Sequence, residues 1–278
     1  MAYQNFIPTV WAEAINRELE RNHVFVADTN RQYEGEVKEK GDSVRILGIG
    51  KPTITTQTGK KIILPDPEEI PDQSITMPIN KVAYFNYKVD DIDKRQAVGG
   101  LMEALSKETS EGLANEQDLC VSNLSKDPKA VVHNTAATQI TEDNVLTFID
   151  DMLEKLFDND VKPESKITLT IPPWFYMILK RAYTDLDTDN SDILKNGKVG
   201  RYGSAIIKMS NNVAKDTSGN HLIQLKTDRA IAFANPMTHI EPYRPEKSFS
   251  DAVKGFILYD AMIVRPKELI VGKVKKTA

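Results

Sequence analysis

The chain has 278 residues, with 36 Lys and Arg against 40 Asp and Glu, which gives a formal net charge of −4. This slightly negative net charge argues against a protein that binds nucleic acid over a broad basic surface. No run approaches the roughly 18 apolar residues of a membrane span, and the first residues lack the order of a signal peptide, so we expect a cytosolic chain at synthesis. The single cysteine, Cys120, excludes an internal disulfide and a multi-cysteine metal site.

The first 90 residues predict an arm followed by a projecting hairpin. Trp11, Ile15 and Leu19 are spaced for a short amphipathic helix within residues 1–32. Between residues 33 and 89, strand-like patterns flank a segment with five prolines: Pro52, Pro65, Pro67, Pro71 and Pro78. A core rarely contains so much proline and charge, so we predict a long β-hairpin that projects from the body.

The segment from Asp90 to Leu124 contains no proline and keeps a helical apolar spacing, so it predicts one long helix. Its first turn carries Asp90, Asp91 and Asp93, which suit the positive end of a helix dipole. The predicted buried stripe comprises Val98, Leu101, Leu105, Gly112, Glu116 and Cys120. On this stripe, Cys120 is predicted to be a buried structural thiol. Because glycine weakens a helix, the alternative is two helices divided at Gly112.

The rest of the chain predicts a mixed α/β unit and a closing pair of strands. A polar connection at 125–141 precedes a helix at 145–158, a strand at 166–171 and a helix at 174–183. A polar loop is predicted at 184–203. Strands follow at 204–212 and 222–236, and two more lie in the tail from residue 255, on either side of Arg265 and Pro266.

Fragments that resemble catalytic or metal motifs are incomplete. Residues 48–53 resemble a phosphate-binding loop but lack its first glycine and its Ser or Thr. Asp185, Asp187 and Asp189 have the spacing of the first three ligands of a calcium loop, but the later Gly and Glu are missing, which leaves only a weak metal candidate. The four histidines share no ligand spacing. We therefore predict no catalytic residue, no cofactor and no enzymatic activity.

The order of these parts, with several phrases of sequence, resembles the major capsid proteins of tailed bacteriophages, which have the Hong Kong 97 fold. The opening FIPTVWAEAINRELERNHVFVADTNRQYEGEVKEKGDSVRILGIG is similar to that of many such coat proteins. The other phrases are KVAYFNYKVDDIDKRQA, SAIIKMSNN and PEKSFSDAVKGFILYDAMIVRPKEL.

The resemblance implies an α+β fold with five parts. These are an N-terminal arm at 1–32, an extended loop with flanking strands at 33–89, and a spine helix with peripheral domain at 90–139. An apical domain follows at 140–235, and return strands of the peripheral domain lie at 236–278. Contacts between subunits would then involve the arm and the loop, with these candidates: Phe6, Ile7, Trp11, Ile54, Thr56, Lys60, Lys61 and Ile63.

The resemblance also implies a function and partners. The chain would assemble with itself into hexamers and pentamers of an icosahedral shell around double-stranded DNA, without reading its sequence. A separate scaffolding protein, a portal and a possible decoration protein would be partners, and no membrane is involved. Assembly would take place in the bacterial cytoplasm, and the product would be the virion capsid. Two alternatives stay open: an encapsulin-like shell that holds a cargo, and a monomeric α/β binding module or enzyme.

Overall fold

The computed structural model describes residues 22–32, 43–49, 72–90, 101–182, 198–246 and 250–276. These ranges contain three α-helices and twelve strands. The helices are α1 (Leu101–Asn123), α2 (Val145–Asp158) and α3 (Pro173–Ala182). The strands are β1 (Ser43–Ile49), β2 (Asp72–Pro78), β3 (Lys81–Asp90), β4 (Val131–Val132), β5 (Thr138–Ile140), β6 (Ile167–Ile171), β7 (Lys198–Tyr202), β8 (Ala205–Met209), β9 (His221–Thr227), β10 (Ile231–Tyr243), β11 (Ser250–Ile263) and β12 (Leu269–Lys276). Single 3₁₀ turns occupy Val26–Asp28, Leu124–Lys126 and Pro266–Glu268.

The largest element is a seven-stranded mixed sheet in the order β4-β12-β9-β6-β8-β7, in which β5 also pairs with β12. Strand β6 lies at its centre and pairs in parallel with β8 and in antiparallel fashion with β9. All five residues of β6 are buried, so both faces of the sheet are covered. A strand buried on both faces is mostly apolar, as the run ITLTI largely is.

The two faces of this sheet differ in chemistry. On one face Ile223 lies beside Gly272, whose missing side chain leaves room for Met152 and Phe148 of α2. A Cβ on Gly272 would lie 2.9 Å from Met152 Sδ, so helix and strand are in close contact there. The opposite face is also buried but polar, and it carries Lys208, Thr168, Thr170, Gln224 and Lys226. The carboxyl end of α1 lies on this polar face, because Gln224 Nε2 donates to the carbonyl oxygen of Val121 at 3.1 Å.

A second sheet has three antiparallel strands in the order β10-β11-β3. The inward side chains of β3, among them Phe85 and Tyr87, pack against the main hydrophobic core. Gly255 of β11 lets the ring of Phe85 approach, because a Cβ there would lie 2.6 Å from Phe85 Cζ. This sheet and α1 pack together, so the helix bridges the two larger sheets.

An antiparallel pair of strands encloses most of the region predicted to form the hairpin, although β2 lies inside the proline-rich segment that was predicted to project. Strands β1 and β2 pair in antiparallel register from Ser43 with Pro78 to Ile49 with Asp72. Ile46 and Met77 of this pair are buried in a small apolar cluster with residues of β10 and β11: Ala232, Ala234 and Leu258. The hairpin is therefore fixed at its base, and its connection, residues 50–71, lies outside the described residues.

The predicted helix at 90–124 is only partly correct. Strand β3 continues through Asp90, so the helix does not begin there, because the pairing of Asp90 with Ser250 extends the sheet to that point. Helix α1 runs without a break through Gly112, so a division at that residue is wrong. Gly112 and Glu116 are exposed, and the buried face instead carries Leu113, Ala114, Gln117, Asp118, Cys120 and Val121.

The α/β unit agrees closely with the prediction. The second helix occupies residues 145–158 as predicted, and β6 and α3 follow within one residue of the expected bounds. The polar loop predicted at 184–203 is too long at its end, because residues 198–202 form strand β7, which pairs with β8. The connection at 125–141 contains two short strands, β4 and β5, that complete the sheet edge against β12.

Candidate functional site

The contact candidates drawn from the sequence, Phe6, Ile7, Trp11, Ile54, Thr56, Lys60, Lys61 and Ile63, all lie outside the described residues. The weak metal candidates Asp185, Asp187 and Asp189 lie outside them as well. What the structure adds is the place where the N-terminal region joins the body. We call residues 22–32 the docking segment.

The docking segment is capped by a carboxylate of helix α1. Asp118 Oδ2 accepts a hydrogen bond from Val24 N at 2.8 Å. Its other oxygen, Oδ1, accepts from Phe25 N and Val26 N, both at 3.0 Å. These N–H groups begin the 3₁₀ turn Val26–Asp28, so Asp118 satisfies donors that a turn cannot pair internally. A carboxylate at this end also suits the local backbone dipoles.

A second carboxylate joins the docking segment to the polar face of the large sheet. Asp28 is 2% exposed, and its two oxygens lie 2.7 Å from Lys166 Nζ and 2.6 Å from Lys208 Nζ. Lys226 of β9 is 1% exposed and donates to the carbonyl oxygen of Phe25 at 3.1 Å. Two buried carboxylates therefore face two buried ammonium groups, with Lys166 at the solvent edge. We call Asp28, Asp118, Lys166, Lys208 and Lys226 the ionic cluster.

Burial and charge act against each other in the ionic cluster. Complete burial lowers the pKa of Lys226 to about 8, although the Asp28 carboxylate opposes this change. Burial alone would raise the pKa of Asp28, but Lys208, Lys166 and Lys226 hold it below its ordinary value. Burial raises the pKa of Asp118, and its hydrogen bonds to the docking segment only partly oppose that rise. Removal of one member would leave a buried charge without its partner, which is costly.

His23 adds a polar contact with Gln117, the residue before Asp118 in α1. Its Nε2 lies 2.7 Å from Gln117 Oε1, and the ring is 3% exposed. Burial lowers the pKa of His23 to about 4, although the Gln117 hydrogen bond opposes this, and the charge of Arg31 lowers it further. At neutral pH the docked imidazole is therefore uncharged.

Apolar and backbone contacts complete the attachment. The side chains of Phe25 and Val26 are fully buried in the main core. Asn30 N donates to Ile231 O at 2.9 Å, and Phe233 N donates to Asn30 O at 3.0 Å. The docking segment therefore contacts α1, the large sheet and β10 together.

The outer face of the three-stranded sheet carries a row of aromatic side chains, in which His239 and Tyr84 are exposed and Phe256 is half-buried. Strand register aligns His239, Phe256 and Tyr84 across β10, β11 and β3, and the first two rings lie 5.6 Å apart between centroids. Tyr84 is 82% exposed, more than Val132 or Met177. The next row pairs Lys254 with Glu241 at 3.1 Å. We call His239, Phe256 and Tyr84 the aromatic row.

Cys120 is buried, as predicted, and its sulfur accepts from Lys81 Nζ at 3.0 Å. Burial raises the pKa of this thiol, which disfavours the nucleophilic thiolate.

Among the described residues, no three or more His, Cys, Asp or Glu side chains are grouped so that they could hold a metal ion. No helix within the described ranges has the length and apolar character needed to cross a membrane.

Sequence reasoning missed the ionic cluster because its five members come from five separate stretches of chain. One signal was present: in the strand HLIQLKT, polar Gln224 and Lys226 alternate with Leu and Ile, which predicts one polar face. The alternation does not reveal that this polar face is buried.

No protein-family model and no curated protein matches this chain. Solved structures do match it. A chain from Mycobacterium phage Che8 is 23% identical, with a TM-score of 0.69 over 90% of each chain. One from the capsid of Cyanophage P-SCSP1u is 14% identical, with a TM-score of 0.65 over 93% of this chain and 88% of that one. A third, from the virus-like particle of Pyrococcus furiosus, is 11% identical, with a TM-score of 0.56 over 98% of this chain and all of that one.

These similarities cover nearly the whole chain and include both the helices and the sheets. The chain therefore has a mixed α+β fold that matches those of phage capsid structures, and the resemblance drawn from the sequence is confirmed at the level of the fold.

Proposed function

We propose that this chain is the major capsid protein of a tailed bacteriophage, with the Hong Kong 97 arrangement of arm, extended loop, spine helix, peripheral domain and apical domain. The observation that carries the proposal is the fold similarity to phage capsid structures, which covers about nine-tenths of both chains. Because a fold can host several functions, the proposal also rests on features of this chain that suit a shell subunit.

The hairpin is one such feature. Its base is packed against β10 and β11, while residues 50–71 contain little that a core would need. A rigid base with a long connection suits a segment that reaches a neighbouring subunit, where strand pairing satisfies exposed backbone groups. The predicted contact residues Ile54, Thr56, Lys60, Lys61 and Ile63 belong to this connection.

The docking segment is the second feature. It fixes the chain at residues 22–32 through buried charges and two apolar side chains. The preceding residues carry Phe6, Ile7 and Trp11, which we assign to contacts with an adjacent subunit. Because the docking segment is firmly attached, the preceding arm can bind a neighbouring subunit without disturbing the fold of its own subunit.

The aromatic row is the third feature. Tyr84 stands out from a sheet face whose adjacent part is already covered by the hairpin base. We assign this face to contact with a second copy of the chain, because aromatic side chains are enriched at protein interfaces.

Assembly would give hexamers and pentamers of an icosahedral shell around double-stranded DNA, built in the host cytoplasm and retained in the virion. The net charge of −4 suits a container that does not bind its genome tightly. A separate scaffolding protein, a portal and a possible decoration protein complete the proposed partners. We propose no enzymatic activity and no cofactor.

A shell that holds a cargo protein is the second candidate, and the similarity to the virus-like particle of Pyrococcus furiosus favours it. That similarity is weaker than the two phage matches by TM-score, so the phage capsid is the better-supported function. A monomeric α/β enzyme or binding module would leave the hairpin and the aromatic row without a purpose.

Shortening the hairpin tests the proposal. Residues 50–71 are replaced by Asn-Gly, a turn that suits the pairing of Ile49 with Asp72. We expect a folded subunit, by circular dichroism and cooperative unfolding, that no longer forms shells in electron microscopy. Tyr84→Ser should weaken assembly without loss of fold, with Met177→Ser as the matched control on an exposed residue of α3. Shells of the shortened variant that match those of the parent would contradict the proposal.

A further inference from the structure

We propose that the buried junction between helix α1 and the large sheet is a binding site for ordered water, with Thr170 of β6 and Gln224 of β9 as its main ligands and Thr168 at its edge. This inference concerns a single subunit and does not depend on shell formation.

The first basis is a group of buried polar atoms at this junction. Thr168 is 1% exposed, and Thr170 and Gln224 are fully buried. Within the described ranges, Thr168 Oγ1, Thr170 Oγ1 and Gln224 Oε1 have no hydrogen-bond partner. A buried polar group without a hydrogen bond is costly, and nearly all such groups in folded proteins are paired with protein or with ordered water. These three atoms therefore need partners that the described part of the chain does not supply.

The second basis is the strand register, which brings the three side chains to one face of the sheet. Thr170 pairs with Gln224 across β6 and β9, and Thr168 pairs with Lys226. Residues paired in this way have Cβ atoms about 5 Å apart. The hydroxyl of Thr170 and the amide oxygen of Gln224 are thus neighbours that do not bond to each other. One water molecule can bridge two such groups with hydrogen bonds of ordinary length.

Helix α1 fixes the amide group of Gln224. Its Nε2 donates to Val121 O and Ser122 O at 3.1 Å, and to Ser125 Oγ at 2.7 Å. These bonds set which end of the amide faces the helix, so the position of Oε1 is set as well. Gln224 Oε1 is therefore a preorganised acceptor in the buried junction, and it requires a donor.

The chemistry of the site selects water over an ion. Gln224 Oε1 can only accept, so its ligand must carry a donor, which a halide ion lacks. The ammonium groups of Lys208 and Lys226 belong to residues paired with the two threonines on the same face, and they disfavour a metal cation. Water can donate to Gln224 Oε1 and also bond to the Thr170 hydroxyl, which gives it the two polar partners that a buried water needs.

A high-resolution structure of the full chain tests the site directly. We expect a water oxygen within about 3.2 Å of both Thr170 Oγ1 and Gln224 Oε1. Direct hydrogen bonds between these atoms and protein groups, or a dry junction, would overturn the proposal.

Thr170→Val gives an independent test in solution, because valine has nearly the same shape but no hydroxyl. If the hydroxyl binds water, the substitution removes a hydrogen bond, and the urea midpoint of unfolding should fall. If the hydroxyl is dry and unpaired, the substitution removes a desolvation cost, so an unchanged or raised midpoint would overturn the site. Thr147→Val makes the same change at an exposed position of α2 and is the matched control, with a nearly unchanged midpoint.

If Thr170→Val does not fold, nuclear magnetic resonance of the parent chain decides. Cross-relaxation between water and the Thr170 methyl group supports the site, because this side chain is fully buried from bulk solvent. A resolved Thr170 methyl signal without such cross-relaxation would count against it.

Discussion

The buried ammonium of Lys226 donates a hydrogen bond to the carbonyl oxygen of Phe25 at 3.1 Å, although the two residues are 201 positions apart in the chain. Lys226 lies at the centre of the large sheet, in β9, and Phe25 lies in the docking segment. The N-terminal region thus contacts a strand from the C-terminal part of the sequence. The docking segment and the large sheet therefore stabilise each other in the folded chain.

Removal of the Asp118 carboxylate should destabilise the subunit strongly. Asp118→Ala leaves three backbone N–H groups of the docking segment without their acceptor. We expect a loss of about 2 to 4 kcal/mol in the free energy of unfolding, measured by urea denaturation. Glu116→Ala, at an exposed position of the same helix, is the control and should change stability by less than about 0.5 kcal/mol. Similar small effects for both variants would show that Asp118 does not hold the segment.

Stability should rise with pH on the alkaline side because of Lys226. Its pKa is lowered from 10.5 to about 8 by burial, so between these values the unfolded chain binds more protons than the folded chain. The free energy of unfolding then increases by up to about 1.4 kcal/mol per pH unit across this window. Lys226→Met should remove that increase. The measurement is a series of denaturation curves for both proteins, and an unchanged pH slope in the variant would contradict the assignment.

Two glycine substitutions should have opposite effects. Gly255→Ala places a Cβ within 2.8 Å of the backbone oxygen of His239 and 2.6 Å from Phe85 Cζ, and a backbone atom cannot easily move aside. We expect a loss of about 1 to 3 kcal/mol from overpacking. Gly112→Ala meets nothing within 4 Å on the exposed side of α1 and should stabilise by up to about 1 kcal/mol through helix propensity. Thermal unfolding checks both, and a neutral Gly255→Ala would refute the close packing of β11 on β3.

Gln224 should be important for the end of helix α1. Its Nε2 donates to Val121 O, Ser122 O and Ser125 Oγ, so one side chain satisfies the last turn of the helix from the sheet. Gln224→Leu keeps the volume but removes these bonds, and we expect a loss of about 1 to 3 kcal/mol in urea denaturation. Gln139→Leu, exposed on β5, is the control and should be nearly neutral. Equal stability of the two variants would argue against this cap.

The sequence predicted best those elements whose local pattern agrees with their environment. Helix α2 was found at its observed bounds because its apolar face packs directly on the sheet. Strand β1 lies where a strand-like pattern precedes the prolines, but β2 lies inside the proline-rich segment, where no flanking strand was predicted. The helix start at Asp90 was wrong because strand pairing with Ser250 overrides the helical signal of the aspartates.

The docking segment shows what local patterns cannot predict. Asp118 is a charged residue on a helix, and such residues are usually exposed. It is buried because Val24, Phe25 and Val26, more than ninety positions earlier, bring their N–H groups to it. Spacing along the chain carries no information about a partner so distant. The predicted subunit contacts in residues 1–21 and 50–71 stay predictions.

The most direct test of a shell-forming subunit is the mass and shape of the purified protein. Light scattering and electron microscopy are applied at low and high protein concentration and with a crowding agent. We predict closed shells, or rings of five or six subunits that close into shells as concentration rises. A particle that stays at the 31.2 kDa mass of one chain under every condition would contradict the account.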